Sequence, residues 1–228
     1  METMQRVIHR SGLFSRLLFV LWWLALLLLV QVLIRQNLPD RLTHSWPWKL
    51  QLLDVQSAVA AVLATGGASL ARAQYARTVR PALGYFGRVY ADFAPRGQLA
   101  WVCHMLNGSQ DAAVIVDVRY SIAYTPAAQA GGARDSSGWV QHQAAVASIE
   151  ACSLVNQEDF HLHLIGPGLP VSGHPLLAGW FTEKTMRNVD DVFVRVRVLD
   201  RVGDTHERVI NLLKGAHRLP SHPDPPPL

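Results

Sequence analysis

The sequence predicts an N-terminal transmembrane α-helix or helical hairpin followed by a mainly-β antiparallel sandwich. Two observations lead to this fold class. An apolar run lies near the start of the chain, and after Pro81 short segments of alternating apolar and polar residues replace the helix-length apolar runs. About 150 residues follow the apolar part, which suits one domain with its own core.

The apolar run Leu17–Ile34 reads LLFVLWWLALLLLVQVLI, and Gln31 is its one strongly polar side chain. With Leu13 and Phe14 included, this run is long enough to cross a hydrocarbon core of about 30 Å at about 1.5 Å per residue. It therefore predicts a transmembrane helix.

A cleaved signal peptide would have a shorter apolar core and a small-residue cleavage site. The residues that follow Ile34 contain no such site. We therefore predict a retained membrane helix over 13–34, with 1–12 as a cytoplasmic tail and 35–49 as a loop.

The segment 50–71, LQLLDVQSAVAAVLATGGASLA, is apolar to a lesser degree and rich in small residues. One interpretation is a second transmembrane helix that packs against the first through Gly66, Gly67 and its alanines. The other is a helix outside the bilayer that packs on the following domain. We favour the hairpin, with Asp54 in the interfacial region close to the helix start.

Basic residues flank both apolar segments. Those before the first segment are Arg6, Arg10 and Arg16, and those after the second are Arg72, Arg77, Arg80 and Arg88. A hairpin would place both groups in the cytoplasm, as the positive-inside rule prefers, although three basic residues in the loop weaken the contrast. The group after the second segment could also bind anionic lipid headgroups.

The clearest strand is Val192–Leu199, which reads VFVRVRVL. Its valines share one face with period two, so we expect Val194 and Val196 in the core and Arg197 in solvent. Further predicted strands are Leu99–Leu106, Ala112–Tyr124, Trp139–Ile149, Phe160–Ile165 and Thr205–Leu213, with Pro175–Asn188 predicted as a short helix. The proline-rich residues 217–228 should form a disordered tail.

Three patterns together carry a resemblance. They are the linker ARTVRP over 76–81, the Asn107-Gly108 turn followed by AAVIVDVRYSI, and the terminal pattern VRVRVLDRVGDTHE. With the apolar N-terminal part, they resemble uncharacterised bacterial membrane proteins that carry a C-terminal immunoglobulin-like β-domain. The resemblance implies an immunoglobulin-like antiparallel sandwich over 72–216 and no known chemistry. A long loop around Gly131 departs from the family pattern.

This resemblance and the hairpin topology predict a bacterial inner (plasma) membrane protein with its β-domain in the cytoplasm. A single span would instead place the domain outside the cytoplasm. In the cytoplasm Cys103 and Cys152 are expected to be reduced thiols, whereas an external domain would allow a disulfide between them.

His161 and His163 are two residues apart, so on a strand they lie on the same face. With His104, His142 or Cys152 they could form a zinc or copper site, but surface histidines are the simpler interpretation. We expect no cofactor. The net charge of +4, mostly from arginines near apolar segments, does not suggest a nucleic-acid partner.

Nucleophile, phosphate-loop and dinucleotide motifs are absent from the sequence. We therefore expect a membrane-anchored, non-enzymatic interaction module or an accessory subunit of a membrane complex, with the bilayer and a membrane protein as partners. The alternatives are an extracytoplasmic metal-handling domain that uses the strand histidines, or an enzyme with residues on the loops Thr125–Gly138 and Gly166–Asn188.

Overall fold

The computed structural model describes residues 3–10, 12–37 and 54–225, and the chain divides into two compact units. One unit contains the residues up to Arg10 together with Val79–Leu228, and the other is Ser11–Thr78. Most of the predicted loop 35–49, the first residues of the predicted second membrane helix and the last three residues of the tail lie outside the described residues.

The second unit consists, in its described part, of helices α1, Gly12–Asn37, and α2, Val55–Thr78, which pack against each other. Trp22 of α1 lies over Gly66 of α2, where an added Cβ would be 3.7 Å from the indole Nε1. Among the described helices, one is long and apolar enough to cross a membrane: it covers Arg16–Arg35, with a mean hydropathy of 2.8.

The first unit is mostly β-structure. Its described strands are β1, Thr3–His9; β2, Leu83–Tyr90; β3, Ala100–Asn107; β4, Ala113–Tyr124; β5, Phe160–Leu162; β6, Pro170–Val171; β7, Leu176–Thr182; β8, Val189–Leu199; and β9, Thr205–Asn211. Its described helices are α3, Pro126–Ala130; α4, His142–Glu150; α5, Glu183–Asn188; and a 3₁₀ turn, Pro95–Gly97.

The described strands form two antiparallel sheets. Sheet A has the order β1-β9-β8-β4-β6, and sheet B has the order β2-β3-β7-β5. Buried residues from both sheets form one apolar cluster, so the sheets face each other as in a sandwich. This confirms the predicted mainly-β antiparallel architecture after an apolar N-terminal helix.

Strand β8 follows the predicted register. The even-numbered valines Val192, Val194, Val196 and Val198 are buried in the core. Arg197 lies on the other face, as expected, but it is not simply solvated, because its Nε donates a 2.7 Å hydrogen bond to Glu207.

Two local predictions were wrong. Trp139–Ile149 was expected to hold strands, but most of it is α4, whose buried Ala145 and Ile149 are four residues apart on one helical face. Pro175–Asn188 was expected to be a short helix, but it forms strand β7 before the helix α5 begins at Glu183.

The segment predicted as the N-terminal tail contains a strand. β1 pairs antiparallel with β9, and Arg6 lies opposite Glu207 in that register. The Arg6 Nη2 donates a 2.6 Å hydrogen bond to the Glu207 carboxylate, which is almost fully buried. Residues on both sides of the helical unit therefore belong to one β-sheet unit.

Candidate functional site

The two predicted metal-ligand candidates lie next to each other on sheet B. The rings of His161 and His163 are 5.9 Å apart, and that of His161 is 6.3 Å from Trp180. His142 of α4 contributes an Nε2 atom 2.9 Å from the Leu162 carbonyl oxygen. The fold thus brings an expected third histidine into the same neighbourhood.

The described side chains around His161 and His163 do not assemble into a set of three metal ligands. In the described part of the chain, no group of three or more His, Cys, Asp or Glu side chains could hold a metal ion. Burial, together with the neighbouring His163 and His142, lowers the pKa of His161, so its imidazole is neutral at physiological pH.

His104 belongs to a different cluster, on sheet B beside strand β2. Its ring stacks on Phe86 at 5.1 Å, and the rings of Tyr90 and Phe93 lie 6.4 and 6.2 Å away. Burial lowers the pKa of His104, so this ring is also neutral. We call these four residues the ring cluster.

A cavity of about 530 Å³ lies between the end of β4, the loop after α3 and the end of α4. The other lining residues are alanine or glycine, and the polar lining comes from Tyr124, Arg134, Ser148, Cys152, Ser153 and Asn188. Because these residues are scattered over more than sixty positions, no sequence motif identifies the cavity.

Two titratable side chains that line this cavity, Tyr124 and Cys152, have raised pKa values. The Tyr124 hydroxyl lies 2.6 Å from the Ser148 carbonyl oxygen, and burial raises the pKa of Tyr124 to about 12. Burial also raises the pKa of Cys152, which therefore stays a thiol at neutral pH rather than becoming a thiolate nucleophile. Among the described lining residues there is no carboxylate or histidine that could act as a base.

The two cysteines are separate. Cys103 is buried in the core on β3, Cys152 lines the cavity, and both are free thiols. Burial raises the pKa of Cys103 to about 12, so that side chain behaves as a small apolar group.

The outward face of sheet A carries a charged row across four strands. Glu207 accepts hydrogen bonds from Arg6 and Arg197, and the guanidinium of Arg195 lies 3.9 Å from it. Asp117 of β4 extends the row, since it lies 3.7 Å from Arg195. Positive and negative side chains alternate along the row, so it forms ion pairs between neighbouring strands. The pair of Arg6 and Glu207 links β1 to the rest of the sheet.

The stabilisation by this charged row depends on pH, because the pKa of Glu207 is shifted. Burial alone raises the pKa, but the hydrogen bonds and charges of Arg197 and Arg6 outweigh it and hold the pKa below the ordinary value. The stabilisation is therefore complete above the ordinary glutamate pKa of about 4.3 and is lost as pH falls through the lower folded-state value.

We expect Glu207→Gln to lower the free energy of unfolding by about 1–3 kcal/mol at pH 7, because arginines around a buried site lose their charged partner. The loss should shrink as pH falls below the ordinary glutamate pKa, because the wild-type carboxylate is then protonated first in the unfolded and, at lower pH, in the folded state. Denaturation curves between pH 3 and pH 8 measure this. Glu158→Gln, which changes an exposed carboxylate, is the matched control, and an equal loss at every pH would contradict the assignment.

Two acidic residues near the start of β8 make structural contacts. Asp190 pairs with Arg218, and Asp191 accepts a hydrogen bond from Asn211. The predicted membrane-proximal arginines are distributed differently: Arg72 and Arg77 are on α2, Arg80 follows it, and Arg88 is in β2.

No protein-family model matches the sequence, and no curated protein matches it with significant similarity. The function therefore has to be inferred from the chain's own geometry.

Proposed function

We propose that the protein is a membrane-anchored, non-enzymatic interaction module, or an accessory subunit of a membrane complex, with its β-domain at the membrane surface. One observation carries the proposal. The helical unit exposes most of its large apolar side chains, whereas the β-unit buries most of its own in a separate core. A helix of this kind needs an apolar environment that water does not provide.

Helix α1 supplies the main evidence for anchoring. Its exposed side chains include Leu17, Phe19, Val20, Leu21, Trp23, Leu24, Leu27, Val30, Leu33 and Ile34. They run from one end of the helix to the other between Arg16 and Arg35, a span of about 27 Å at 1.5 Å per residue. That length matches the hydrocarbon core of a bilayer.

Helix α2 is less apolar than a typical spanning helix, and we propose it as the returning span because of its length and its contact with α1. Its uncharged stretch between Asp54 and Arg72 is about 25 Å long, close to that of α1. Leu63 and Leu70 are exposed, and Gly66 lets the indole of Trp22 approach closely. Small residues at a helix contact are typical of helices that associate in membranes.

The position of β1 supports a hairpin and argues against signal-peptide cleavage. Removal of α1 by cleavage would also remove β1 and leave Glu207 without Arg6. Since β1 and the later strands share one sheet, they lie on one side of any membrane. The chain between them must then cross the bilayer an even number of times.

The orientation follows from charge. Arg10 precedes α1 and Arg16 lies near its start, before the apolar run, while Arg72, Arg77 and Arg80 lie at or beyond the end of the uncharged part of α2. The positive-inside rule therefore favours a cytoplasmic β-domain. From the resemblance to bacterial membrane proteins we propose that this membrane is the bacterial inner (plasma) membrane.

We further propose that the β-domain is immunoglobulin-like. The order β2-β3-β7-β5 corresponds to strands A-B-E-D of the constant-type domain, and β9-β8-β4 corresponds to G-F-C. The chain departs from this pattern because β5, in the D position, precedes β6, which lies beside the C strand. Such domains commonly serve recognition, which supports a protein partner by analogy of fold.

The anchoring can be tested with single cysteines in a Cys152→Ser background. The substitutions are Met4→Cys in β1, Asn37→Cys at the end of α1 and Ser137→Cys in the β-domain, all at exposed positions. We expect a membrane-impermeant thiol reagent to label Asn37→Cys in intact cells, because α1 crosses the bilayer. The other two should react only after permeabilisation.

Each alternative gives a different result. Labelling of Met4→Cys and Ser137→Cys on opposite sides would contradict the shared sheet and the hairpin. If all three cysteine variants were absent from the membrane fraction, the proposed membrane anchor would be refuted.

A further inference from the structure

The predicted disordered tail, residues 217–228, forms hydrogen bonds with the rest of the β-unit at two points. At the first, the Arg218 guanidinium donates hydrogen bonds to the carbonyl oxygens of Met186, Val189 and Asp190, at 2.9, 3.3 and 2.6 Å. At the second, Asp224 bonds to Val89 in β2. The tail therefore runs from the start of β8 in sheet A to the edge of sheet B.

The contact with β2 is reciprocal. The Val89 N–H donates to the Asp224 carboxylate at 2.7 Å, and the Asp224 N–H donates to the Val89 carbonyl oxygen at 2.9 Å. Beside it, the Arg88 Nη1 donates to the Pro225 carbonyl oxygen at 2.9 Å. The tail thus satisfies the outward polar groups of Val89 as an added strand would.

β2 is an edge strand of sheet B, and the structure covers it at both ends. At the opposite end from Val89, the Gln5 side chain accepts a hydrogen bond from the Leu83 N–H at 3.0 Å and donates one to the Pro81 carbonyl oxygen at 2.5 Å. Exposed sheet edges are templates for pairing with another chain, so covers of this kind control what pairs with the edge.

We propose that the β2 edge at Arg88 and Val89 is a docking site for an extended Pro-Asp-Pro segment of a partner protein, and that the tail is its intramolecular occupant. This inference rests on the proposed interaction function and names the surface that would carry it. Addition of an extended segment to a sheet edge is a common mode of peptide recognition.

The chemistry of the segment follows from the edge. Val89 offers one outward N–H and one outward carbonyl oxygen. In Pro223-Asp224-Pro225 only Asp224 has a backbone N–H, and the Val89 oxygen uses it, while the aspartate carboxylate accepts from the Val89 N–H. The prolines keep the segment extended before it binds, which lowers the entropy lost on docking.

Two further features favour this occupant. The positive charge of Arg88 complements an acidic segment, and the ring cluster begins on the same strand with Phe86 and Tyr90. Aromatic surfaces are the usual neighbours of proline-rich ligands. The tail from Ser221 to Pro225 is exposed, so it buries little area and a partner can displace it.

The test uses the full chain in detergent micelles and a fluorescent peptide, SHPDPPPL, copied from residues 221–228. In the wild type the tethered tail competes at an effective concentration in the millimolar range, so added peptide should bind weakly. Asp224→Pro removes both the carboxylate and the N–H that bond Val89. Ser221→Pro adds a proline to the tail without altering these bonds and is the matched control.

We expect Asp224→Pro to bind the peptide at least about tenfold more tightly than the wild type and Ser221→Pro do, because its site is vacated. Hydrogen exchange at the Val89 amide should accelerate in that variant and slow again with peptide. A peptide whose aspartate is replaced by alanine should not compete.

Three outcomes would overturn the proposal. Unchanged exchange at Val89 in Asp224→Pro would mean that the tail contact is not made in solution. Accelerated exchange without peptide binding would mean that the bared edge is not a docking site, and equal binding of the alanine peptide would remove the role of the carboxylate. None of these results changes the thiol-labelling pattern, so failure here is distinct from failure of membrane anchoring.

Discussion

Replacement of Gly87 by alanine is expected to destabilise the β-unit by about 3 kcal/mol, which corresponds to roughly 10 °C in melting temperature. A Cβ at this position would lie 2.1 Å from Cζ2 and 2.4 Å from Cε2 of the Trp101 indole. The indole is buried against the core, and its Nε1 donates a 2.8 Å hydrogen bond to the Leu212 carbonyl oxygen. Any movement that admits the methyl group therefore breaks that bond or displaces the backbone.

Gly84→Ala is the matched control on the same strand. A Cβ at Gly84 would lie 3.7 Å from Leu106, which is ordinary van der Waals contact. Thermal denaturation of both variants in micelles should show a large loss for Gly87→Ala and a small change for Gly84→Ala. Trp101→Leu combined with Gly87→Ala should cost less than the sum of the two single changes, because the clash disappears. Additive losses would refute the packing of Trp101 on Gly87.

The sequence predicted the fold best where one local pattern decided the structure. In β8 the alternation of valine and charged residues identified the strand and its buried face. In α1 the length of the apolar run identified the helix. Both patterns are strong because burial on one face, or on all faces, dictates every residue in the segment.

Strand β4 shows how an irregularity defeats this reasoning. The alternation of apolar and polar residues in this segment predicts one shared face for Val114, Val116, Val118 and Tyr120. The structure has a bulge between Ile115 and Asp117, so Ile115 is buried while Val114 and Val116 are 39% exposed. A single extra residue moves the preceding side chains to the opposite face, and periodicity alone does not reveal where it occurs.

Features that depend on distant pairing were missed. Residues 3–9 look like a polar tail because their partner strand β9 is about two hundred residues away. The cavity at Tyr124 and the fastening of Asp224 to Val89 are assembled in the same way, from segments that share no motif. Of the candidate site, the proximity of His161 and His163 was predictable from their spacing on a strand.

The difference between buried and exposed strand faces leads to the second large predicted change in stability. Val196→Ala should lower the free energy of unfolding by about 2–3 kcal/mol, because the side chain is fully buried in the core and its loss leaves a cavity. The same truncation at Val114, which is 39% exposed on β4, should change stability by less than about 0.5 kcal/mol. Arg197→Ala should fall between them, since it removes one of the hydrogen bonds that hold the buried Glu207 carboxylate. Urea denaturation of the three variants gives the order directly, and a cost at Val114 equal to that at Val196 would mean that β4 or β8 has the opposite register.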